Sequence, residues 1–277
     1  MKNSVLTRIV CIVLPTYNEA QNLPRLLPLI FAEAANIPTH ELHVLVVDDD
    51  SPDGTGERVR AAMRLYPRLH LMTGRKKGLG EAYKRGIARA IATIGPDLIV
   101  QMDADFQHDP AMLPQLVRLC NEGYDLVIGS RFVSGTEIAG LAWHRRFISV
   151  AGTRLVRWFG HIPPLTDCTS GYRCIRAALI PKCDFGSYST RGYSFQSWFL
   201  CELLRNGARH IEIPLAFPIR AYGSSKLSLR DKVEFVWSLL HLPFRKRVPS
   251  RETHGATEPS LGATEGISSK AASHSGK

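Results

Sequence analysis

Two carboxylates separated by one residue follow an apolar run near the middle of the chain. Asp103 and Asp105 come after residues 97–102, whose composition predicts a buried strand. Open α/β sheets bind ligands outside the carboxyl ends of their strands, so both side chains would face such a crevice. They are hard oxygen ligands that suit Mg²⁺ or Mn²⁺ shared with a diphosphate, and Gln107 adds a neutral oxygen. The alternative is an acidic turn before a helix that Asp109 caps.

The elements that would position these residues alternate between strands and helices. This alternation predicts an α/β fold, with a mostly parallel sheet and helices on both faces. At 277 residues, one large domain is expected. The predicted strands are residues 8–14, 42–47, 69–72, 97–102, 125–128 and 210–217, and the predicted helices are residues 21–35, 54–66, 80–94, 111–121 and 195–206.

Polar side chains also follow the first two predicted strands. Tyr17 and Glu19 come after the first strand, and Asp49 lies in an acidic run after the second. The first strand lacks the glycine-rich turn of a dinucleotide-binding protein, so the acidic run is not evidence for NAD. An aromatic ring and carboxylates at neighbouring strand ends instead suit a base and a ribose that lie across the two strand tips.

The distribution of charge indicates which kinds of ligand the protein could bind. The net charge is +10, and residues 143–176 contain six arginines but only one acidic residue, Asp167. Such a stretch suits the phosphates of a nucleotide, a nucleic acid or a lipid, but no nucleic-acid-binding motif is present.

The six cysteines have no zinc-site spacing, and we expect reduced core thiols in a cytosolic protein. We expect no signal peptide and no transmembrane span, since the longest apolar stretch, residues 235–244, is shorter than the ~20 residues required.

Several motifs resemble the inverting family 2 glycosyltransferases, which have the GT-A fold. These motifs are PTYNE at residues 15–19, DDDSPDGT at 48–55, DADFQH at 103–108 and GSR at 129–131. Two narrower motifs resemble the dolichol-phosphate or polyprenol-phosphate mannosyltransferase branch, namely TDCTSGYR at 166–173 and RAYGSSK at 220–226. The resemblance covers most of the chain and implies a GT-A, Rossmann-like sheet. Asp50 is a departure, because the family more often has glycine there.

The resemblance implies a nucleotide-sugar donor, GDP-mannose in the named branch, and a polyprenyl or dolichyl phosphate acceptor. The base and ribose would be lined by Pro15, Tyr17, Glu19, Val47 and Asp49. The donor would face Asp103, Ala104 and Asp105, and a Mg²⁺ or Mn²⁺ ion would be held by Asp103, Asp105 and Gln107. The donor and the reacting phosphates would be held by Arg131, Arg220 and Lys226, while Arg131 and Arg173 would aim the acceptor. Attack on the face opposite the diphosphate would invert the anomeric carbon.

A lipid acceptor requires access to a membrane. Residues 138–159 and 229–247 mix apolar and basic side chains as interfacial helices do, although either segment could instead pack on the catalytic domain. We therefore expect a catalytic domain at residues 1–228, an amphipathic basic helix at 229–248 and a disordered tail at 249–277. The enzyme would be peripheral on the cytoplasmic face of a membrane, with or without a membrane-anchoring subunit.

Two other functions fit the same residues. One is a different family 2 transferase that uses UDP-glucose or a related donor. The other is a non-catalytic nucleotide-sugar-binding scaffold at a membrane, because the fold alone does not establish catalysis.

Overall fold

The computed structural model describes residues 7–133, 143–183, 192 and 194–215, without the side chains of residues 143–145. The strands are β1 (Ile9–Thr16), β2 (Glu41–Asp48), β3 (Leu69–Thr73), β4 (Leu98–Gln101), β5 (Leu126–Ser130), β6 (Arg173–Arg176) and β7 (His210–Pro214). The α-helices are α1 (Leu23–Ala32), α2 (Thr55–Ala62), α3 (Leu79–Thr93), α4 (Leu113–Asn121), α5 (Trp143–Gly160) and α6 (Ser194–Arg205). Short 3₁₀ helices occupy Glu33–Asn36, Pro110–Met112 and Ala177–Lys182.

The described strands form one sheet in the order β3-β2-β1-β4-β6-β5-β7. Neighbouring strands are parallel except at β6, which is antiparallel to both β4 and β5. The expected mostly parallel α/β sheet is therefore confirmed. β6 was not predicted, because its four residues begin and end in arginine and show no apolar run.

Helices cover both faces of the sheet, and each face has its own apolar core. On one face, α1, α2 and α4 pack on alternate strand residues such as Ile12, Val46 and Val100. On the other face, α3, α5 and α6 pack on the intervening residues, which include Val13 and Val47. Each central strand is buried on both sides, as expected for parallel strands in an α/β protein.

Helix α3 lies unusually close to the sheet at Gly86. A β-carbon at this position would come within 2.6 Å of Val47 and 2.7 Å of Val13, so only glycine fits without a shift of the helix. The close contact fixes the depth at which the preceding turn of α3 meets the sheet. That turn carries Tyr83, whose side chain is buried.

Candidate active site

The functional motifs converge on one edge of the sheet. β1, β2, β4 and β5 all end at this edge, and the loop before antiparallel β6 returns to it. The strand order changes direction between β1, which is followed by β2, and β4 on its other side. Such a switch point opens a crevice between the carboxyl ends of two adjacent strands. Tyr17 follows β1 and Asp103 follows β4, so they lie on the two sides of this crevice.

Residues 103–109, here called the carboxylate turn, connect β4 to the next 3₁₀ helix. The backbone N–H of Asp103 donates to Nδ1 of His108 at 2.9 Å, and the N–H of Gln107 donates to Oδ1 of Asp105 at 3.1 Å. Phe106 has a φ of 65°, a left-handed conformation that is uncommon for an aromatic residue. Asp109 caps the 3₁₀ helix through Ala111, which confirms the predicted cap. These bonds hold the turn in a compact shape.

Asp103 is hydrogen-bonded to a buried side chain and is itself partly exposed to solvent. The Tyr83 hydroxyl donates to its Oδ1 at 3.0 Å, and Nε2 of His108 lies 3.9 Å from its Oδ2. The side chain is nevertheless 34% exposed, so it can also meet a ligand. Burial, together with the charges of Asp103 and Asp105, raises the pKa of Tyr83 well above its usual value. The phenol therefore keeps its proton and acts as the donor.

The carboxylate turn carries the kinds of oxygen atom that coordinate a divalent cation, but too few of them to bind it without a substrate that fills the remaining coordination positions. No group of three or more His, Cys, Asp or Glu side chains within the described ranges is arranged to hold a metal ion. The two carboxylates and the Gln107 amide still present hard oxygens on one turn. They fit a Mg²⁺ or Mn²⁺ ion whose remaining ligands are substrate phosphates and water.

The tips of β1 and β2 are tied to each other by side-chain hydrogen bonds. The N–H of Asn18 donates to the Ser51 hydroxyl at 2.9 Å, and the N–H of Glu19 donates to the Thr55 hydroxyl at 3.0 Å. Asp50, at the departure from the family pattern, has a φ of 49°. Glycine adopts this left-handed conformation without strain, whereas aspartate is one of the few other residues that tolerate it.

The side of the crevice formed by the tips of β1 and β2 contains some of the residues predicted to line the base and ribose. Tyr17 is half-buried, and Nζ of Lys76 lies 3.4 Å from the centre of its ring. Pro15 is buried and Glu19 is half-buried. Val47 is fully buried beneath α3, so only its backbone could contact a nucleoside.

Asp49 is buried and forms an ion pair with Arg85 of α3. Burial raises the pKa of Asp49, and the charge of Arg85 opposes that rise. The sequence did not indicate Arg85 as a partner, because the two residues lie on different elements, 36 positions apart.

Arg131 follows β5 and is held in a fixed orientation by Asp167. Its Nε and Nη2 donate to the two carboxylate oxygens at 2.7 and 2.8 Å, and Nη2 also donates to the Thr169 hydroxyl at 2.6 Å. Burial by itself would lower the pKa of Arg131, but the charges of Asp167 and Asp103 raise it above its usual value. Arg131 is therefore a permanent cation whose charge is felt by the carboxylate turn.

Arg173 lies in the interior, which does not agree with the predicted contact to an acceptor phosphate. Its side chain is fully buried, and Nη1 and Nη2 donate to the backbone carbonyls of Gln196 and Cys168. Burial lowers the pKa of Arg173 to about 10. Arg176 is 37% exposed, and its Nε donates to Asp125 at 2.9 Å. The predicted basic stretch of residues 143–176 is therefore not one continuous patch.

The exposed basic residues of that stretch lie on α5. Arg146, Arg154 and Arg157 are exposed, beside Phe147 and Trp158, whose exposures are 70% and 72%. We call these five residues the α5 face. Among the described helices, none is long and apolar enough to cross a membrane.

Other predicted residues lie outside the described ranges. These are Arg220, Lys226, the segment 229–247 and the tail 249–277. All six cysteines, in contrast, are described, and each is a buried free thiol, as expected.

A switch-point crevice with a carboxylate turn and a fixed arginine defines an α/β protein with acidic and basic groups at the carboxyl ends of its strands, where open sheets bind ligands. Residues 11–181 match Glycosyl transferase family 2. The chain is 34% identical over 239 residues to the polyprenol monophosphomannose synthase of Mycolicibacterium smegmatis, across 86% of this chain and 88% of that protein. It is 38% identical over 217 residues to the undecaprenyl-phosphate mannosyltransferase of Micrococcus luteus, across 78% and 86% of the respective chains. The chain thus belongs to glycosyltransferase family 2.

Solved structures with low sequence identity share the fold. Mannosyl-3-phosphoglycerate synthase from Rubrobacter xylanophilus superposes with a TM-score of 0.61 at 20% identity, across 85% of this chain and 72% of that chain. A mannosyltransferase from Pyrobaculum calidifontis, solved with GDP-Man and Mn²⁺, gives a TM-score of 0.55 at 20% identity, across 80% and 59% of the respective chains. These similarities confirm the GT-A fold expected from the sequence.

Proposed function

We propose that this glycosyltransferase moves mannose from GDP-mannose to a polyprenyl phosphate, with inversion at the anomeric carbon. The observation that carries the proposal is the convergence of Asp103, Asp105 and Arg131 at the switch-point crevice. The relatives at 34% and 38% identity, whose names specify lipid-phosphate mannose transfer, support this substrate pair.

The site is suited to stabilising a diphosphate leaving group. Negative charge grows on the diphosphate as its bond to the sugar breaks, and preorganised cations lower the energy of that state. A divalent ion held by Asp103, Asp105 and Gln107 would supply Lewis-acid stabilisation. Arg131 contributes a second, permanent positive charge, which Asp167 keeps in one orientation.

The acceptor side needs orientation rather than proton removal. A lipid phosphate is already ionised at neutral pH, so no general base has to activate it, and catalysis can rest on positioning. Because Arg173 is buried, Arg131 is the better candidate to meet the acceptor phosphate. Arg220 and Lys226 are proposed to complete the phosphate contacts, on the basis of their motif alone.

The α5 face is proposed to hold the enzyme at the membrane. Aromatic side chains favour the interfacial region of a bilayer, and each arginine near an anionic surface contributes about 1 kcal/mol of attraction. The combination of exposed Phe147 and Trp158 with three arginines therefore fits an anionic lipid surface. The buried free thiols are compatible with a reducing compartment, which supports the proposal that the enzyme acts at the cytoplasmic face of the membrane.

Transfer can be tested with the purified full chain, labelled donors and a short polyprenyl phosphate. With GDP-mannose and Mg²⁺ we expect a mannosyl-lipid that extracts into organic solvent. A preference for UDP-glucose under the same conditions would replace the donor assignment but keep the class of reaction. Binding of a nucleotide sugar without transfer to any acceptor would favour the scaffold alternative. Transfer that occurs only after addition of membranes depleted of acceptor would indicate an anchoring subunit.

A further inference from the structure

Tyr83 connects the core to the crevice. It lies on α3, outside all of the motifs that suggested the function, and its ring is fully buried against Phe195. Its hydroxyl nevertheless reaches the carboxylate turn, where it donates to Oδ1 of Asp103. A buried hydroxyl needs a partner, and here that partner is a carboxylate that is itself partly exposed at the site.

The position of the hydroxyl is set by the rigid packing of α3. Gly86, one turn further along the helix, brings α3 into contact with Val13 of β1 and Val47 of β2. The Tyr83 hydroxyl therefore has little freedom to move away from Asp103. The buried charge of Arg173 also acts on Tyr83 and opposes the rise in its pKa that burial and the carboxylates cause.

His108 restrains the same residue from within the turn. Its Nδ1 accepts the backbone N–H of Asp103, and its ring stacks on Tyr172 with the ring centres 4.7 Å apart. The backbone of Asp103 is thus fixed by His108, whereas the rotation of the carboxylate is fixed by Tyr83. With Oδ1 engaged by the phenol and Oδ2 3.9 Å from Nε2 of His108, the rotation of the carboxylate is restricted.

We infer that Tyr83 is a positioning residue, which orients the Asp103 carboxylate for the divalent cation and diphosphate of the donor. This inference rests on the proposed function. Partners of metal-binding carboxylates act in this way in general, and their loss weakens metal affinity or activity about 10–100-fold.

The test compares two conservative variants that each delete one buried hydroxyl. Tyr83→Phe removes the bond to Asp103, whereas Tyr172→Phe, the control, removes a bond of 2.8 Å to the backbone carbonyl of Asp109. Mn²⁺ binding in the presence of GDP is measured by electron paramagnetic resonance of the free ion. GDP binding is measured by calorimetry with and without EDTA, and folding is checked by thermal melting.

The expected result is specific to the cation. Tyr83→Phe should bind Mn²⁺ in the presence of GDP about 10-fold more weakly than wild type and more weakly than Tyr172→Phe, while its GDP affinity in EDTA stays at the wild-type level. In an Asp103→Asn background, Tyr83→Phe should have no further effect on Mn²⁺ affinity, because the partner is already altered.

The inference is overturned if Tyr83→Phe binds Mn²⁺ as tightly as wild type, or if both tyrosine variants lose affinity equally. Failure of the proposed function looks different, because the wild-type protein itself would then show no Mn²⁺-dependent binding of GDP. In that case the role of Tyr83 is lost together with the function.

Discussion

The ion pair between Arg131 and Asp167 allows a structural role to be separated from a chemical one. The side chain of Asp167 is fully buried and that of Arg131 is 12% exposed. Asp167→Asn keeps the shape of the side chain but removes its charge, so it leaves a nearly buried guanidinium without compensation. Removing one partner of a buried pair costs about 3–5 kcal/mol, and the slight exposure of Arg131 places the expected loss near the lower end, about 3 kcal/mol.

This loss can be measured as a change in the melting temperature. For a protein of this size, each kcal/mol lowers the midpoint by about 2–4 °C, so Asp167→Asn should melt about 6–12 °C below wild type. The control is Glu57→Gln, which breaks an exposed pair with Arg60 and should cost less than about 1 kcal/mol. Urea unfolding gives the same comparison as a free energy of unfolding.

A double-mutant cycle distinguishes the ion pair from general damage. Arg131→Met and Asp167→Asn should each destabilise the protein, and the double variant should lose less than the sum of the two, because no buried charge is left unpaired. Additive losses, or a loss for Asp167→Asn no larger than that of Glu57→Gln, would refute the reasoning. The cycle also shows that Arg131→Ala alone is a poor test of catalysis, since its effect on turnover would include a loss of stability.

Three further changes have defined outcomes. Asp105→Ala should abolish transfer while shifting the melting temperature by less than about 4 °C, and wild-type activity should disappear in EDTA and return with Mg²⁺ or Mn²⁺; full activity in EDTA would exclude the cation. Trp158→Ser should weaken binding to anionic vesicles in a sedimentation assay more than Leu65→Ser, a control whose side chain is 76% exposed elsewhere on the surface; equal effects would argue against the α5 face. Burial lowers the pKa values of His43 and His70, whose rings contact each other at 3.0 Å, so these residues take up protons at a higher pH in the unfolded chain than in the folded protein. The free energy of unfolding measured in urea should therefore fall as the pH drops from 7.5 to 5.5, and a profile that does not change with pH would contradict this.

The sequence was sufficient to predict the edge of the sheet at which the site lies. Apolar runs indicated β1, β2, β4 and β5, and the polar residues that follow such runs are brought together by parallel strands. The bounds of these strands shifted by one or two residues, whereas the first two helices ended three and four residues earlier than predicted, at Ala32 and Ala62. Element boundaries are the least reliable part of an assignment made from sequence alone.

Contacts between distant elements could not be predicted. Tyr83 donates to a carboxylate 20 positions away, and Asp167 pairs with an arginine 36 positions away. The apolar periodicity of α3 indicates that Tyr83 faces the sheet, but it does not specify which strand end its hydroxyl meets. One signal for Asp167 was available, because it is the single acidic residue in a stretch with six arginines.

Strand direction explains why two arginines that look alike in the sequence have different environments. Arg131 follows the carboxyl end of β5, so it lies beyond the sheet edge, where its charge and that of Asp103 interact. Arg173 is the first residue of antiparallel β6, where it pairs in register with Gln101 and lies on the face covered by α3 and α6. Because β6 is antiparallel to β4, the loop that contains Asp167 lies at the edge where β4 ends, and Arg173, the first residue of β6, lies within the sheet.

The inward arginine still influences the crevice. Within the described part of the chain, Nε of Arg173 and both polar atoms of the Gln101 side chain have no hydrogen-bond partner. A cation in such surroundings is screened weakly, so its field extends further than that of a surface arginine. It acts on Tyr83, and Tyr83 holds Asp103. The charge of Arg173 therefore influences the carboxylate turn indirectly, through the phenol of Tyr83, whereas the charge of Arg131 interacts with Asp103 directly.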